Sequence, residues 1–211
     1  DLHLCDRRQR QMCIRDRLSE TNHENQEEIA TILEQTEKLD FLIQSLVKLS
    51  RMESGIIAVH SEDTTITQML ESIQQQFNVK AREKNITLSL CDTDLHVRCD
   101  SKWTVEALGN IVDNAIKYTA CGGNVQVKAE QYSFFVKIDI IDDGIGIEKE
   151  EIPKIFGRFY RSLSVADQPG VGIGLFLARE IIQAQKGYIK VTSEREKGST
   201  FSVFLPISKK E

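Results

Sequence analysis

A chain of 211 residues, 40% hydrophobic and 28% charged, has the make-up of a soluble globular protein, with room for one domain and an appendage. Its net charge of −5 argues against nucleic acid as the main partner, and its apolar runs are too short to span a membrane. No apolar stretch follows the basic N-terminal residues, as a secretory signal would need.

Residues 1–17 carry five arginines and fit neither helical nor strand periodicity, so they read as a disordered or non-native tail outside the fold. From Leu18 to residue 54 the pattern turns helical. Ile29, Ile32, Thr36, Leu39, Ile43 and Leu46 follow the alternating three-and-four spacing of a coiled-coil seam, widened by Leu33, Leu42 and Leu49. That stripe needs a partner helix, from a second chain or from a missing hairpin. Gly55 ends it, and 56–208 reads as the folded domain. Ile56–Val59 is a short strand candidate, and Asp63, Thr64 and Thr65 offer caps for a helix with Ile66, Met69, Leu70, Ile73, Phe77 and Ala81 on one face. Ile86–Leu90 and Leu95–Cys99 read as two strands around a turn at Cys91–Asp94. Asp100 and Ser101 cap the next helix, with Val105, Leu108, Ile111, Val112 and Ala115 inward. Cys121–Asn124 reads as a hairpin-like turn before strands at Val125–Ala129 and Phe134–Ile141. A helix over Ile173–Ala184 and strands at Tyr188–Thr192 and Thr200–Leu205 complete the chain. The order predicts an α+β fold: a mixed, largely antiparallel sheet with helices on one face. Cys5, Cys13, Cys91, Cys99 and Cys121 are odd in number and form no Cys-x-x-Cys pair, which speaks against a zinc site or disulfide framework and for a reducing compartment.

Three stretches carry chemistry. Asn110, Asn114 and Lys117 share one helix face. An amide oxygen can ligate a hard cation such as Mg²⁺, and an ammonium can meet phosphate oxygens. Tyr118 can stack on a base or pack in the core. By themselves these residues equally describe a solvated helix face. Asp142 follows the β-rich run Val136–Ile141, and Gly144 and Gly146 follow at once. Glycines there permit close approach of a ligand, and a carboxylate can accept from an exocyclic amine, which favours adenine over guanine. Taken alone this is an acidic glycine turn. Gly170, Gly172 and Gly174 open a helix whose first N–H groups suit phosphate. No Gly-Lys-Ser/Thr follows and no βαβ unit surrounds them, so neither a Walker loop nor a dinucleotide fingerprint fits. The three together suggest a nucleotide pocket.

Asn110-x-x-x-Asn114-Ala-x-Lys117-Tyr118-Thr119, Asp142-x-Gly144-x-Gly146-Ile147, Ile155-Phe-Gly-Arg-Phe-Tyr160-Arg161 and Gly170-x-Gly172-Ile-Gly174-Leu175 resemble, in order, the N box, first glycine box, F box and second glycine box of sensor histidine kinases. The resemblance covers about residues 24–207, with Lys197-Gly-Ser-Thr-Phe201 behind the boxes. It implies a Bergerat-type ATP-binding sandwich, preceded by the second helix of the dimerisation and histidine-phosphotransfer hairpin. It implies that Asn114 ligates Mg²⁺ between the phosphates of ATP, with Asn110 positioning beside it. Lys117 would meet phosphate, Tyr118 would stack near adenine, and Asp142 would bind the adenine amine. Gly144, Gly146 and Ile147 would shape the wall, with Thr200 supporting from the last strand. Tyr160, Arg161, Gly170, Gly172, Gly174 and Leu175 are the matching positions in and around a lid over about 157–172. The implied partners are a response-regulator receiver domain and a second copy of the chain through the long helix. The complete protein would be anchored in a bacterial plasma membrane by segments outside this sequence, with this part in the cytoplasm.

The pattern is departed from in places. Gly157 replaces an acidic residue usual in the F box, and Val171 a small hydroxyl residue. The phospho-acceptor pattern, a histidine, an acidic residue and Thr-Pro, is met only in its first two residues by His23-Glu24. The target histidine is therefore expected to be absent, and His23 to face solvent. Gyrase-type, mismatch-repair and chaperone ATPases of the same fold carry a glutamate one turn before the magnesium asparagine, able to activate water. Asn110 cannot take a proton, which favours phosphoryl transfer over hydrolysis. A non-catalytic dimeric module that acts through its long helix is the other reading.

Overall fold

The computed structural model describes residues 23–53, 59–165, 168 and 170–207. The tail at 1–17, residues 56–58 of the first strand candidate and the side chain of His23 lie outside the described residues. The chain divides into two units at Lys48/Leu49. Helix α1 (His23–Glu53), most of it in the first unit, runs for 31 residues without a glycine or proline to break it. Ile32, Leu39, Ile43 and Leu46 on it are exposed.

In the second unit the order is β1 (Glu62–Thr65), α2 (Ile66–Glu83), β2 (Thr87–Leu90), β3 (His96–Cys99), α3 (Ser101–Tyr118), β4 (Asn124–Gln131), β5 (Phe135–Asp142), α4 (Gly174–Ala184), β6 (Tyr188–Glu194) and β7 (Gly198–Pro206). The main sheet has the strand order β2-β4-β5-β7-β6. Only the β2–β4 pair is parallel. This is the mixed, largely antiparallel α+β sandwich that the element order predicts.

Three local readings are corrected. β2 and β3 are strands, but they do not pair across the Cys91–Asp94 turn. β2 joins β4, and β3 pairs with β1 in a separate two-stranded sheet. Alternation along a strand reveals its two faces, not its neighbour. Asp63–Thr65 forms β1 rather than a side-chain cap, and Thr65 makes no cap hydrogen bond to α2. Cys121–Asn124 carries α3 into β4, and the hairpin turn lies instead between β4 and β5.

The core is built from faces legible in the sequence. Ile66, Met69, Leu70, Ile73, Phe77 and Ala81 of α2 are buried, as are Leu108, Ile111, Val112 and Ala115 of α3. Val105 is only half-buried. Along β5, Val136, Ile138 and Ile140 point inward, matched on β7 by Phe201, Val203 and Leu205. The other sheet face carries Phe135, Tyr188 and Phe204, with Tyr188 stacked on Phe204 at 4.4 Å between centroids. Cys91, Cys99 and Cys121 are free thiols, and Cys99 is buried with Sγ 3.9 Å from Met69 Sδ.

One buried amide ties α4 to the start of α3. Gln185 Oε1 accepts from Asp100 N at 2.6 Å and from Thr104 Oγ1 at 3.2 Å, while its Nε2 donates to Ile181 O at 3.3 Å. Gln185→Leu strands the buried Thr104 hydroxyl and the half-buried Asp100 N–H, so a loss of about 2 kcal/mol in urea unfolding is expected. Unchanged stability would mean that solvent reaches those donors.

Candidate functional site

Helix α3 begins under Asp100, whose side chain accepts from Trp103 N at 3.1 Å. That cap fixes where the helix starts, and so which side chains its face presents two and more turns on. Asn110, Asn114, Lys117 and Tyr118 are all half-buried. Asn110 Nδ2 donates to Glu106 O at 2.9 Å, which fixes the amide's orientation. Its Oδ1 lies 3.1 Å from where a Cβ on Gly174 would stand, so the first residue of α4 abuts it. Half-buried Leu175 follows in the first turn of α4. Lys117 Nζ donates to the Tyr118 hydroxyl at 3.0 Å and lies 4.7 Å from its ring centroid. The same ammonium is 2.8 Å from the Cβ position of Gly170. The helix face, the α4 start and the second glycine turn thus converge.

Asp142 is the last residue of β5 and continues the inward parity of Val136, Ile138 and Ile140. It is buried, and its Oδ1 accepts from Gly144 N at 3.0 Å and Ser199 N at 3.2 Å. Among the described residues both bonds end on Oδ1. Burial pushes its pKa up to about 6, against the opposing pull of those two N–H groups. Asp143, next along, has the opposite parity and is exposed. It grips Asn124, accepting from the backbone N at Oδ1 and from Nδ2 at Oδ2, both at 2.8 Å. Those bonds, the backbone one foremost, hold its carboxyl below the usual range.

Three glycines permit the turn. A Cβ on Gly144 would stand 2.6 Å from Tyr118 O, and one on Gly146, whose φ is +68°, only 2.0 Å from Glu194 O. Ile145 N donates to Tyr118 O at 3.3 Å, which ties the turn to the end of α3. The third is Gly198, whose Cβ position is 1.9 Å from Asp142 O. Ile147 N donates to Ser193 Oγ at 2.8 Å, and Ser193 Oγ is 2.9 Å from Ser199 Oγ.

Thr200 does not support Asp142. It pairs with Ile141 and shares the outer face with Ser202 and Phe204, whereas Ser199 lies opposite Asp142 and is buried. The strand alternates sides, and one residue of register moves the contact to its neighbour. Tyr160 and Arg161 bond within their own loop: the Tyr160 hydroxyl to Glu151 Oε1 at 3.1 Å, and Arg161 Nη2 to the carbonyls of Val165, at 3.1 Å, and Gln168. Gly172 faces that loop, its Cβ position 2.5 Å from Tyr160 O. Residues 166, 167 and 169 of the expected lid lie outside the described residues. The motifs do not single out Ser193 or Ser199; alternation along β7, with Phe201, Val203 and Leu205 inward, puts Ser199 on the buried face, and register alone sets it opposite Asp142.

No cluster of three or more His, Cys, Asp or Glu suited to a metal occurs among the described residues. A cation here would rest on the amide oxygen of Asn114 and on oxygens brought by a ligand. A buried carboxylate with one bare oxygen, a wall kept open by glycine and a cationic ammonium at the far end suit a nucleotide.

The family of histidine kinase-, DNA gyrase B- and HSP90-like ATPases matches residues 99–209. The chain belongs to that family. Its ATPase fold is the Bergerat-type sandwich described above. Sensor histidine kinase WalK of Bacillus subtilis (strain 168) is 31% identical over 182 residues, covering 84% of this chain and 30% of WalK. The chain spans about a third of the length of the curated relatives it matches. The mycobacterial sensor histidine kinase MprB superposes with a TM-score of 0.62 at 27% identity, over 70% of this chain and 98% of that one. Histidine kinase ThkA, solved in complex with the response regulator protein TrrA, shares the fold with a TM-score of 0.71 at 21% identity, over 89% of this chain and 53% of that one.

Proposed function

We propose that the second unit is the ATP-binding catalytic part of a sensor histidine kinase and donates the γ-phosphoryl group of ATP to a histidine supplied by another segment. Asp142 carries the reading. Its Oδ1 is used by Gly144 and Ser199, which leaves Oδ2 to accept from an adenine amine in a buried setting. Tyr118 would flank the base, and Lys117, 2.8 Å from the Gly170 Cβ position, would meet phosphate beside the α4 start. Asn114 would hold Mg²⁺ together with phosphate oxygens. Bound MgATP supplies the phosphoryl group; these residues orient it and offset its charge. Asn110 stands where a water-activating glutamate would be needed and offers an amide already committed to Glu106 O. That supports transfer over hydrolysis.

The exposed seam of α1 supports a homodimer through that helix, with a receiver domain as the downstream partner. No described helix is long and apolar enough to cross a membrane. By its likeness to sensor kinases, we propose that the complete protein is anchored in a bacterial plasma membrane by other segments, with this part in the cytoplasm.

Radiolabelled ATP with Mg²⁺ should leave this chain unlabelled and should label a supplied helical hairpin carrying a histidine, an acidic residue and Thr-Pro. Label on the chain alone would overturn the reading that His23 is not the acceptor. Release of free phosphate at the same rate without the hairpin would make the protein a hydrolase.

A further inference from the structure

The last turn of α3 is capped by a lysine from another helix. Four carbonyls at a helix C-terminus lack intrahelical partners, and here each is met. Ala115 O accepts from Thr119 N at 3.0 Å, and Tyr118 O from Ile145 N at 3.3 Å. The two between them, Ile116 O and Lys117 O, both accept from Lys84 Nζ, at 2.9 and 2.6 Å. Lys84 is the residue just after α2, half-buried, with its ammonium placed where the α3 dipole is negative. Burial, and then Lys80, lowers its pKa against a weaker opposing pull from Cys121, so the position costs the charged form something. One turn earlier Lys80 pairs with Asp113, but that pair is half exposed on both sides.

The turn that Lys84 holds is the one carrying Lys117 and Tyr118. Glycine-turn contacts reach the same turn from the other side, through Tyr118 O and the Gly144 Cβ position at 2.6 Å from it. We infer that Lys84 is a positioning residue for the nucleotide site: it fixes the last turn of α3 so that the Lys117 ammonium stands at the phosphate end. This rests on the nucleotide reading above. Lys84 touches no ligand itself. Its loss frees two carbonyls and lets the turn carrying Lys117 unwind, while Asp142, on β5, stays where it is.

The test is calorimetric titration of wild type, Lys84→Met, Lys84→Arg and Lys80→Met with MgATP and, separately, with adenosine. Lys84→Met should weaken MgATP about 10-fold and adenosine no more than about 3-fold, because the Lys117 phosphate contact fails whereas the base loses only the flanking Tyr118 and keeps Asp142. Lys84→Arg, which can still donate to both carbonyls, should recover most of the loss, and Lys80→Met should match wild type. Hydrogen exchange of the Thr119 amide should quicken in Lys84→Met alone, with or without nucleotide. Equal weakening of MgATP and adenosine would overturn the inference in favour of a merely structural role, as would unchanged binding. Wild type that fails to bind MgATP would overturn the nucleotide reading and this inference with it; wild type that binds, beside an unaffected Lys84→Met, overturns the role of Lys84 alone.

Discussion

Asp142→Asn is expected to weaken nucleotide binding by about 100-fold or more while making the nucleotide-free domain more stable. Burial raises the folded-state pKa of Asp142 to about 6 from 3.8. The folded chain therefore holds this proton more tightly than the unfolded chain does. Stability falls as pH rises from about 4 to about 6, and the whole cost is present above that window. At about 1.4 kcal/mol per pH unit, the ionised carboxylate costs the fold on the order of 3 kcal/mol at neutral pH. Asparagine keeps an oxygen for Gly144 N and Ser199 N and carries no charge to desolvate. A gain of about 2 kcal/mol corresponds to a Tm higher by about 4–8 °C in a domain of this size. Thermal unfolding at pH 7.5 should show it, and at pH 4, where the carboxyl is protonated anyway, the two proteins should converge. A lower Tm at pH 7.5 would show that the carboxylate is not paying for its burial.

Binding moves the other way. The carboxamide presents an N–H₂ donor where an adenine amine also donates. Losing a hydrogen bond to a charged acceptor costs about 1.5–3 kcal/mol, and leaving the donors unmet adds about as much again. Affinity for MgATP should fall by about 100-fold or more in calorimetric titration. Unchanged affinity would remove the adenine assignment. On the adenine assignment proposed above, specificity would rest on a residue that the fold holds against its own stability.

Gly198→Ala should damage both the fold and the site. Its φ is +92°, and an added Cβ would stand 1.9 Å from Asp142 O and 2.8 Å from Asp143 Cα. The left-handed conformation costs a side-chain residue about 1–2 kcal/mol, and main chain cannot swing aside as a flexible side chain would. Moving the end of β5 also strains the neighbouring bond from Ser199 N to Asp142 Oδ1. A loss above about 3 kcal/mol in denaturant unfolding, with weakened MgATP binding, is expected. Gly122→Ala is the matched control. Its φ is +83°, but nothing lies within 4 Å of the added Cβ, so only the backbone cost of about 1 kcal/mol applies. Equal losses at the two positions would mean that crowding at Asp142 O is unimportant.

Much of the site is legible in the residues because its chemistry is local. The spacing of Asn110, Asn114 and Lys117 puts them on one helix face in any structure that forms the helix. Asp142 is separable from Asp143 by counting twos from Val136, since a strand with one buried face commits each residue to a side. The buried faces of α2 and α3 follow from apolar period alone.

Contacts between segments distant in the chain were decided only by the tertiary structure. Strand order set β2 beside β4 rather than β3, because alternation carries no information about partners. Register set Ser199, and not Thr200, opposite Asp142, and a slip of one residue exchanges the two faces. The capping of α3 by Lys84 spans 32 and 33 residues of sequence, and a lysine at the end of an amphipathic helix otherwise looks like any solvated charge. The sequence by itself determined that Asn110, Asn114 and Lys117 share a helix face and that Asp142 ends a strand on its buried side. Folding decided which of their atoms are already used, and so which remain for a ligand.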